Sequence, residues 1–400
     1  MLSFLLPIIY LAFISLGLPD SVLGSAWPTI YPEFGVPVSY AGIVSAIIAV
    51  GTVISSLLSS RLISVLKTGG VTAISVAMTA AALFGFSLSH SFWSLCLWAV
   101  PYGLGAGSVD AALNNYVALH YKSSHMSWLH CMWGIGATAG PYIMGRVLTD
   151  GLPWTMGYRV LSFIQIALTI VLVICIPVWK AADNEFWNEE ERAEVEDDTD
   201  PEENYKPLPL REVVRLPGVK AIMVAFFCYC GIESTTGLWT ASYLNLHLGL
   251  SADFAATFTS LAFLGITIGR ALNGFLAMKY SDMTLIRVGQ GIIALGCLML
   301  LLPIHFVPFQ LAAILLVGLG CAPIYPSIIH ATPFRFGKRK SQDIIGVQMA
   351  SAYVGTTLMP PLFGLIAQYV SIRLWPVYLL VLLVLMFLMN ERVEKRIREG

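Results

Sequence analysis

The sequence predicts an all-α membrane protein with twelve transmembrane helices in two pseudo-symmetric six-helix bundles. Its 400 residues are 57% hydrophobic and only 12% charged, and the mean hydropathy is +0.75, values outside the ordinary range of soluble proteins. Twelve apolar stretches are each long enough to cross a bilayer, which takes roughly 20 residues in a helix. Short motifs in the first half recur in the second, which indicates duplication.

The first stretch could be mistaken for a secretory signal peptide, because LSFLLPIIYLAFISLGL is strongly apolar. No basic segment precedes it, and its apolar character continues past Asp20 to Ile30, so we interpret it as a spanning helix. The twelve predicted spans cover residues 4–30, 39–60, 71–90, 92–119, 124–148, 155–179, 219–243, 253–278, 284–304, 308–330, 342–369 and 373–390.

Lysine and arginine set the predicted orientation. With twelve spans both termini lie on one side, and about 19 of the 23 basic residues fall in the loops and tail of that side. Arg270 lies inside a span, and only Arg146, Arg159 and Arg373 fall at the opposite ends. We therefore expect both termini in the cytoplasm of a multi-pass protein of a bacterial inner (plasma) membrane.

A polar segment divides the chain almost symmetrically. Residues 180–218 contain ADNEFWNEEERAEVEDDTDPEENYKP, and half of the 24 acidic residues lie between Asp183 and Glu203. Like charges at this density favour a solvated linker. We expect an N-terminal bundle at 1–179, an acidic cytoplasmic linker at 180–218, and a C-terminal bundle with a short basic tail at 219–400. A regulatory role of the linker is the alternative.

The two halves repeat each other at nearly constant offsets. Asp20-Ser21-Val22-Leu23-Gly24 recurs 213 residues later as Glu233-Ser234-Thr235-Thr236-Gly237. Further echoes are Gly103-Leu104-Gly105 with Gly318-Leu319-Gly320, and Gly136, Pro141 and Gly145 with Gly355, Pro360 and Gly364. Two parallel six-helix repeats around a central site are typical of alternating-access transporters.

Several function classes are disfavoured. There is no phosphate-binding glycine loop with lysine and no metal-ligand spacing, so we expect no enzyme activity, cofactor or metal. The seven cysteines lie in apolar runs and fit small buried residues. A net charge of -1 gives no sign of nucleic-acid binding. The expected partners at this point are the lipid bilayer and a small-molecule substrate, and the expected assembly state is a monomer.

Three acidic residues lie well inside predicted spans: Asp20, Asp110 and Glu233. A carboxylate at membrane depth costs roughly 2.5–3.5 kcal/mol on insertion scales, so such residues usually face a cavity and act there. Desolvation favours the protonated form of a carboxyl group, and this allows proton loading and release. The alternative is that each acid only binds a neighbour such as Arg270.

The layout resembles the major facilitator superfamily. After the second span, members usually carry a glycine, then Asp-Arg, then a further glycine and basic residues. Here Ser60-Arg61 and the later Lys67-Thr68-Gly69 keep part of that pattern, and Gly274-Phe275-Leu276-Ala277-Met278-Lys279 is its counterpart after the eighth span. The resemblance implies gating roles for Arg61 and Lys279, to which we add Arg270.

Other motifs resemble the fucose permease branch, whose members are proton symporters for fucose, glucose and galactose. These are GLGAGSVDAALNN in the fourth span, SWLHCMWGIGATAGP in the fifth, and YCGIESTTGLW in the seventh. The resemblance implies proton-coupling carboxylates at Asp20 and Asp110 with Asn114 beside the latter, and a sugar contact at His130. One extra residue separates Gly105 from Asp110 compared with that pattern.

Sugar binding requires convergent hydrogen-bonding groups and aromatic faces. For each candidate the alternative is helix packing or a membrane-interface aromatic belt. The candidates in spans expected to line a cavity are Asn114, Asn115, His130, Trp133, Trp239, Tyr325, Gln348 and Tyr353.

We therefore expect a secondary active transporter that takes up a monosaccharide or similar polyhydroxylated solute with protons. The glycines of the fourth and fifth spans suit close helix packing. However, Gly136–Pro141 also resembles the signature of drug antiporters, so proton-driven efflux stays open. A non-transporting receptor on the same fold is the third alternative. A symporter alkalinises the medium, an antiporter releases protons, and a receptor binds without accumulation.

Overall fold

The computed structural model describes residues 2–121, 123–182, 210–304 and 306–399, and these are almost entirely helical. The helices of the N-terminal half are Leu2–Gly17, Val22–Glu33, Ala41–Ser87, Phe92–His120, Ser123–Thr149 and Trp154–Ile174. Those of the C-terminal half are Leu210–Val213, Val219–Leu246, Ala252–Leu276, Asp282–Leu301, Val307–Cys321, Ile324–Phe336, Lys338–Ile366 and Trp375–Glu399.

These helices form twelve spans. The first span is broken between Leu2–Gly17 and Val22–Glu33, and the tenth between Val307–Cys321 and Ile324–Phe336. The second and third spans lie in Ala41–Ser87 and are separated by Lys67, the only described non-glycine residue with positive φ (59°). The loop expected at residues 61–70 is thus mostly helical. Most of the expected linker, 183–209, lies outside the described residues.

Hydropathy of the described helices supports this membrane arrangement. Nine segments are long and apolar enough to cross a membrane, and the last of them, 343–396, contains both the eleventh and twelfth spans. The fourth and fifth spans are not among these segments. They lie inside the bundle nevertheless, because the fourth packs along the second and third, and the fifth packs against the first and eighth.

The two halves meet mainly where the fifth span packs against the eighth, the second against the eleventh, and the second part of the first against the seventh. Small residues allow close approach at the end of the bundle opposite the chain termini. There the backbones of Gly24 and Gly237 are adjacent, Gly42 lies against Pro361, and Gly145 lies against Thr257. The halves are therefore closed against each other at that end.

Most glycines of the fourth and fifth spans pack within the N-terminal half, whereas Gly134 and Gly145 lie against the eighth span. Gly103 and Gly107 lie against backbone oxygens of the second span, and Gly136 and Gly140 lie against those of Ile14 and Leu18 in the first. A side chain at any of these positions would meet backbone atoms. Helix packing therefore accounts for the glycine series, including the stretch that resembles drug antiporters.

Candidate substrate and proton site

A cavity of about 360 Å³ lies between the two halves and is lined by both. This volume is within the usual range of small-molecule sites. Ten of the twelve spans contribute to its wall, and polar groups from both halves face it. The lining residues with hydrogen-bonding or charged side chains are Asp20, Ser45, Thr52, Tyr102, Asp110, His130, Trp133, Tyr158, Glu233, Ser234, Arg270, Tyr325, Tyr353, Thr356 and Thr357.

Asp20 lies at the break in the first span. Pro19 carries no N–H, and the backbone turns tightly, with the Asp20 amide donating to Gly17 O at 3.1 Å and the Val22 amide to Pro19 O at 3.2 Å. The side chain of Asp20 is open to the cavity. Its carboxylate accepts hydrogen bonds from Trp133 Nε1 at 2.7 Å and from Tyr102 Oη at 3.3 Å. Both donors are neutral.

Asp110 lies on the fourth span and also lines the cavity. Asn114 follows one helical turn later, and its Nδ2 donates to Asp110 Oδ1 at 2.9 Å and to the Asp110 carbonyl at 3.0 Å. Residues four apart in a helix face the same side, which explains this pairing. Asn114 therefore orients the carboxylate and does not itself line the cavity.

Glu233 differs from the two aspartates because it has a cationic partner. Arg270 Nη2 lies 3.2 Å from Glu233 Oε1, and the two side chains are 10% and 17% exposed. The guanidinium of Arg270 also lies 4.9 Å from the centroid of the Trp133 ring, within cation–π range. An unbroken set of contacts therefore runs from Asp20 through Trp133 and Arg270 to Glu233, crossing from one half to the other.

Aromatic side chains provide much of the remaining wall. His130 lies between Phe13 and Tyr325, with ring centroids 5.8 and 5.9 Å away, respectively. The His130–Tyr325 contact joins the two halves. Tyr325 Oη lies 3.4 Å from Met349 Sδ. Flat rings beside hydroxyl and carboxylate groups suit a solute with both polar edges and an apolar face.

Comparison with known proteins decides the family. The model of the Major Facilitator Superfamily matches residues 9–347 and again residues 222–393. The chain belongs to the major facilitator superfamily. A yeast relative, "Bypass of stop codon protein 6" of Saccharomyces cerevisiae, is 24% identical over 390 residues, which cover 91% of this chain and 77% of the relative.

Membership confirms the predicted fold and the coarse function. Proteins of the superfamily are secondary transporters that carry small molecules across a lipid bilayer, so this chain is a multi-pass membrane transporter. The fucose permease branch within the superfamily, proton coupling and sugar specificity stay predictions.

Besides Asn114, two expected substrate contacts lie outside the cavity wall. Trp239 is fully buried, and its Nε1 donates to Pro360 O at 2.9 Å. Gln348 is also fully buried, and its side-chain amide exchanges hydrogen bonds with the Thr332 hydroxyl at 3.1 and 3.3 Å. Both side chains thus satisfy polar groups between helices, and their contact with the substrate stays a prediction that their place in this structure does not support.

The three residues expected to act in gating lie in different surroundings. Arg270 lines the cavity and pairs with Glu233, whereas Lys279 is exposed in the turn after the eighth span. Arg61 lies within Ala41–Ser87, but its side chain, like that of Asn115, lies outside the described set. The gating roles of Arg61, Lys279 and Arg270 all stay predictions.

Sequence reasoning missed Tyr102, which donates to Asp20 and is buried. A usable signal was its position eight residues before Asp110, since residues seven or eight apart lie on the same helix face. It also missed Phe263, whose ring packs edge-to-face against Trp133 at 6.1 Å. Nothing in the sequence distinguishes Phe263 from other apolar residues of the eighth span.

Proposed function

We propose that this transporter couples uptake of a neutral monosaccharide, or a similar polyhydroxylated solute, to the inward movement of protons. One observation carries the proposal: Asp20 and Asp110 line the same central cavity, and their hydrogen-bond donors described above are neutral. Glu233, in contrast, has its charge matched by Arg270. The two aspartates are thus the candidate proton carriers, and the Glu233–Arg270 pair is the candidate gate.

Alternating access gives these carboxyl groups their role. A carboxylate facing a largely apolar cavity is destabilised by the loss of water unless a proton or a counter-charge compensates it. We infer that proton binding to Asp110 or Asp20 on one side of the membrane permits the substrate-loaded cavity to change its exposure. Release of the proton on the other side resets the carrier.

The cavity also supplies acceptors suited to hydroxyl groups. Pro360 and Pro361 have no N–H, so the carbonyl groups of Thr356 and Thr357, one turn earlier, lack the usual helical donor. Both threonines line the cavity. In the N-terminal half the equivalent carbonyl, that of Ala137 before Pro141, accepts the Ser21 hydroxyl at 3.0 Å. The corresponding Ser234 instead donates to Cys230 O at 2.6 Å, which leaves the Thr356 carbonyl for a substrate hydroxyl.

The negative charge of the cavity wall favours a second function, proton-driven efflux. Among its described lining residues, three carboxyl groups face the single guanidinium of Arg270. An excess of negative charge suits a lipophilic cation, and proton-driven efflux is the activity that would move one outward. The direction of proton movement separates the two functions.

The remaining topological features are part of the same proposal. We infer an N-terminal bundle at 1–179 and a C-terminal bundle at 219–400, joined by the acidic linker at 180–218. We further propose that both termini are cytoplasmic, that the protein resides in a bacterial inner membrane, and that it acts as a monomer. The distribution of lysine and arginine supports the orientation.

The test begins with purified protein and a thermal-shift screen of neutral monosaccharides, sugar acids and lipophilic cations. A ligand at 100 times its dissociation constant stabilises the folded state by about 2.7 kcal/mol. We expect neutral sugars such as D-galactose to raise the melting temperature, and an inward proton gradient to drive their accumulation in proteoliposomes. Stabilisation by lipophilic cations alone would favour the efflux function and contradict uptake.

A further inference from the structure

The side chain of Trp133 links the two halves beside Asp20. Its indole N–H donates to Asp20, and its ring face supports Arg270. Asp20 and Trp133 belong to the N-terminal half, whereas Arg270 belongs to the C-terminal half. Of the two side chains that hydrogen-bond to the Asp20 carboxylate, Trp133 is the one whose ring lies beneath Arg270.

Close packing of the first and fifth spans fixes this arrangement. Gly17 lies against the backbone of Trp133, and Gly136 lies against that of Ile14. These glycines bring the two helices together, so the indole reaches Asp20 at the break in the first span. Next to Trp133, Gly134 lies against Thr267, one turn before Arg270 in the eighth span, and this brings Arg270 over the indole ring.

We propose that Trp133 is a positioning residue that transmits the protonation state of Asp20 to the Glu233–Arg270 pair in the opposite half. The ionised carboxylate holds the indole N–H by a charge-assisted hydrogen bond, which is stronger than a neutral one. This fixes the ring beneath Arg270. Protonation weakens the bond, releases the ring, and removes one of the contacts that hold the fifth and eighth spans together.

The remaining charged groups around Asp20 do not make this connection. Asp110 and Glu233 face it across the cavity without a direct contact, and Tyr102 donates to it from the same half. Tyr102 and Trp133 therefore form a matched pair. Each gives one hydrogen bond to the same carboxylate, but only Trp133 also contacts the C-terminal half.

This inference rests on the proposed proton-coupled uptake, and its test uses full-length protein in proteoliposomes with D-galactose as the probe. Trp133→Phe keeps a ring beneath Arg270 but removes the N–H, and Tyr102→Phe removes the other donor. We expect Trp133→Phe to lower proton-driven accumulation by about tenfold, a usual size for coupling between sites. We expect Tyr102→Phe to lower accumulation less than Trp133→Phe does, because the hydrogen bond that it removes lies within the N-terminal half.

Trp128→Phe is the control, because Trp128 lies on the same span but is exposed and outside the cavity wall. If Trp133→Phe does not give monodisperse protein, Arg270→Lys replaces it. That variant keeps the positive charge but not the planar stacking group, and we expect the same loss of accumulation.

The results of these transport assays distinguish the proposed function from the proposed role of Trp133. Wild-type protein that does not accumulate galactose under a proton gradient contradicts the proposed function itself. If wild-type protein accumulates galactose, then equal accumulation by Trp133→Phe overturns the role of Trp133. Equal losses in Tyr102→Phe and Trp133→Phe overturn it too, since they would reflect damage to Asp20 alone.

Discussion

The three intramembrane acids occupy different electrostatic environments, although the sequence presents them alike. Glu233 has a guanidinium at 3.2 Å, whereas Asp20 and Asp110 accept hydrogen bonds from an indole, a phenol and an amide. Opposite charge compensates a buried carboxylate far better than neutral donors do. The aspartates and Glu233 should therefore respond differently to neutralisation.

Neutralising Asp110 should separate proton coupling from substrate exchange. Asp110→Asn keeps the size of the side chain but cannot carry a proton. We expect uphill uptake driven by a proton gradient to disappear, while counterflow exchange of galactose continues. Proteoliposomes with and without an imposed gradient provide the measurement, and undiminished uphill transport would contradict the role of Asp110.

Neutralising Glu233 should mainly reduce stability. Glu233→Gln leaves Arg270 without its counter-charge, and breaking a buried ion pair in this way costs about 3–5 kcal/mol. The matched control is Asp150→Asn, because Asp150 and Arg146 form an exposed pair whose loss costs about 0.5 kcal/mol or less. Melting temperatures of the purified variants test this, and similar small shifts in both would contradict a stabilising Glu233–Arg270 pair.

The types of residue predicted many side chains of the cavity wall, but they did not predict which side chains point into the cavity. His130, Trp133, Tyr325 and Tyr353 line the cavity as expected. Trp239 lies one turn and a half from Glu233 on the same span and instead faces the eleventh span. Such a difference depends on the rotation of each helix, which the hydrophobic pattern leaves open when a span is apolar on all sides.

At the scale of single elements, glycine positions decide how closely the spans pack. Gly136→Ala places a methyl group against the backbone oxygen of Ile14, and overpacking of this kind costs about 1–3 kcal/mol. Gly291→Ala is the control, since a methyl group there meets no atom within 4 Å and alanine favours the helix. We expect only Gly136→Ala to lower the melting temperature.

The prolines of the eleventh span make a second element-scale prediction. Pro360→Ala restores a backbone N–H that can bond the Thr356 carbonyl and so compete with a substrate hydroxyl. We expect weaker galactose binding, with a dissociation constant raised about fivefold or more, the usual value of one hydrogen bond. A deoxy analogue that lacks the relevant hydroxyl should bind both proteins equally. Unchanged binding of galactose and of every deoxy analogue contradicts this acceptor.

For the whole molecule, hydropathy and repeat offsets were enough to predict the architecture. Twelve spans in two halves follow from apolar length and from the echo of Asp20-Ser21 in Glu233-Ser234, and family membership confirms the fold. The break in the first span was not predicted, because Pro19 is compatible with either a bend or an interruption. Contacts between the two halves could not be predicted either, because they depend on the conformational state that the transporter adopts.

Transport by alternating access requires the closed end of the bundle to open. Thr149 Oγ1 and Asp253 Oδ2 are 3.2 Å apart across the halves at that end. We expect a disulfide between Thr149→Cys and Asp253→Cys to stop galactose uptake, and a reductant to restore it. Each single-cysteine variant is the control, and full transport by the cross-linked protein would contradict the need for opening there.

The central claim is that substrate and protons enter together. The most direct measurement is the external pH of a weakly buffered suspension of proteoliposomes when D-galactose is added. The proposed symport predicts immediate alkalinisation that is absent in Asp110→Asn. Acidification, or uptake of galactose without any change in pH, would contradict it.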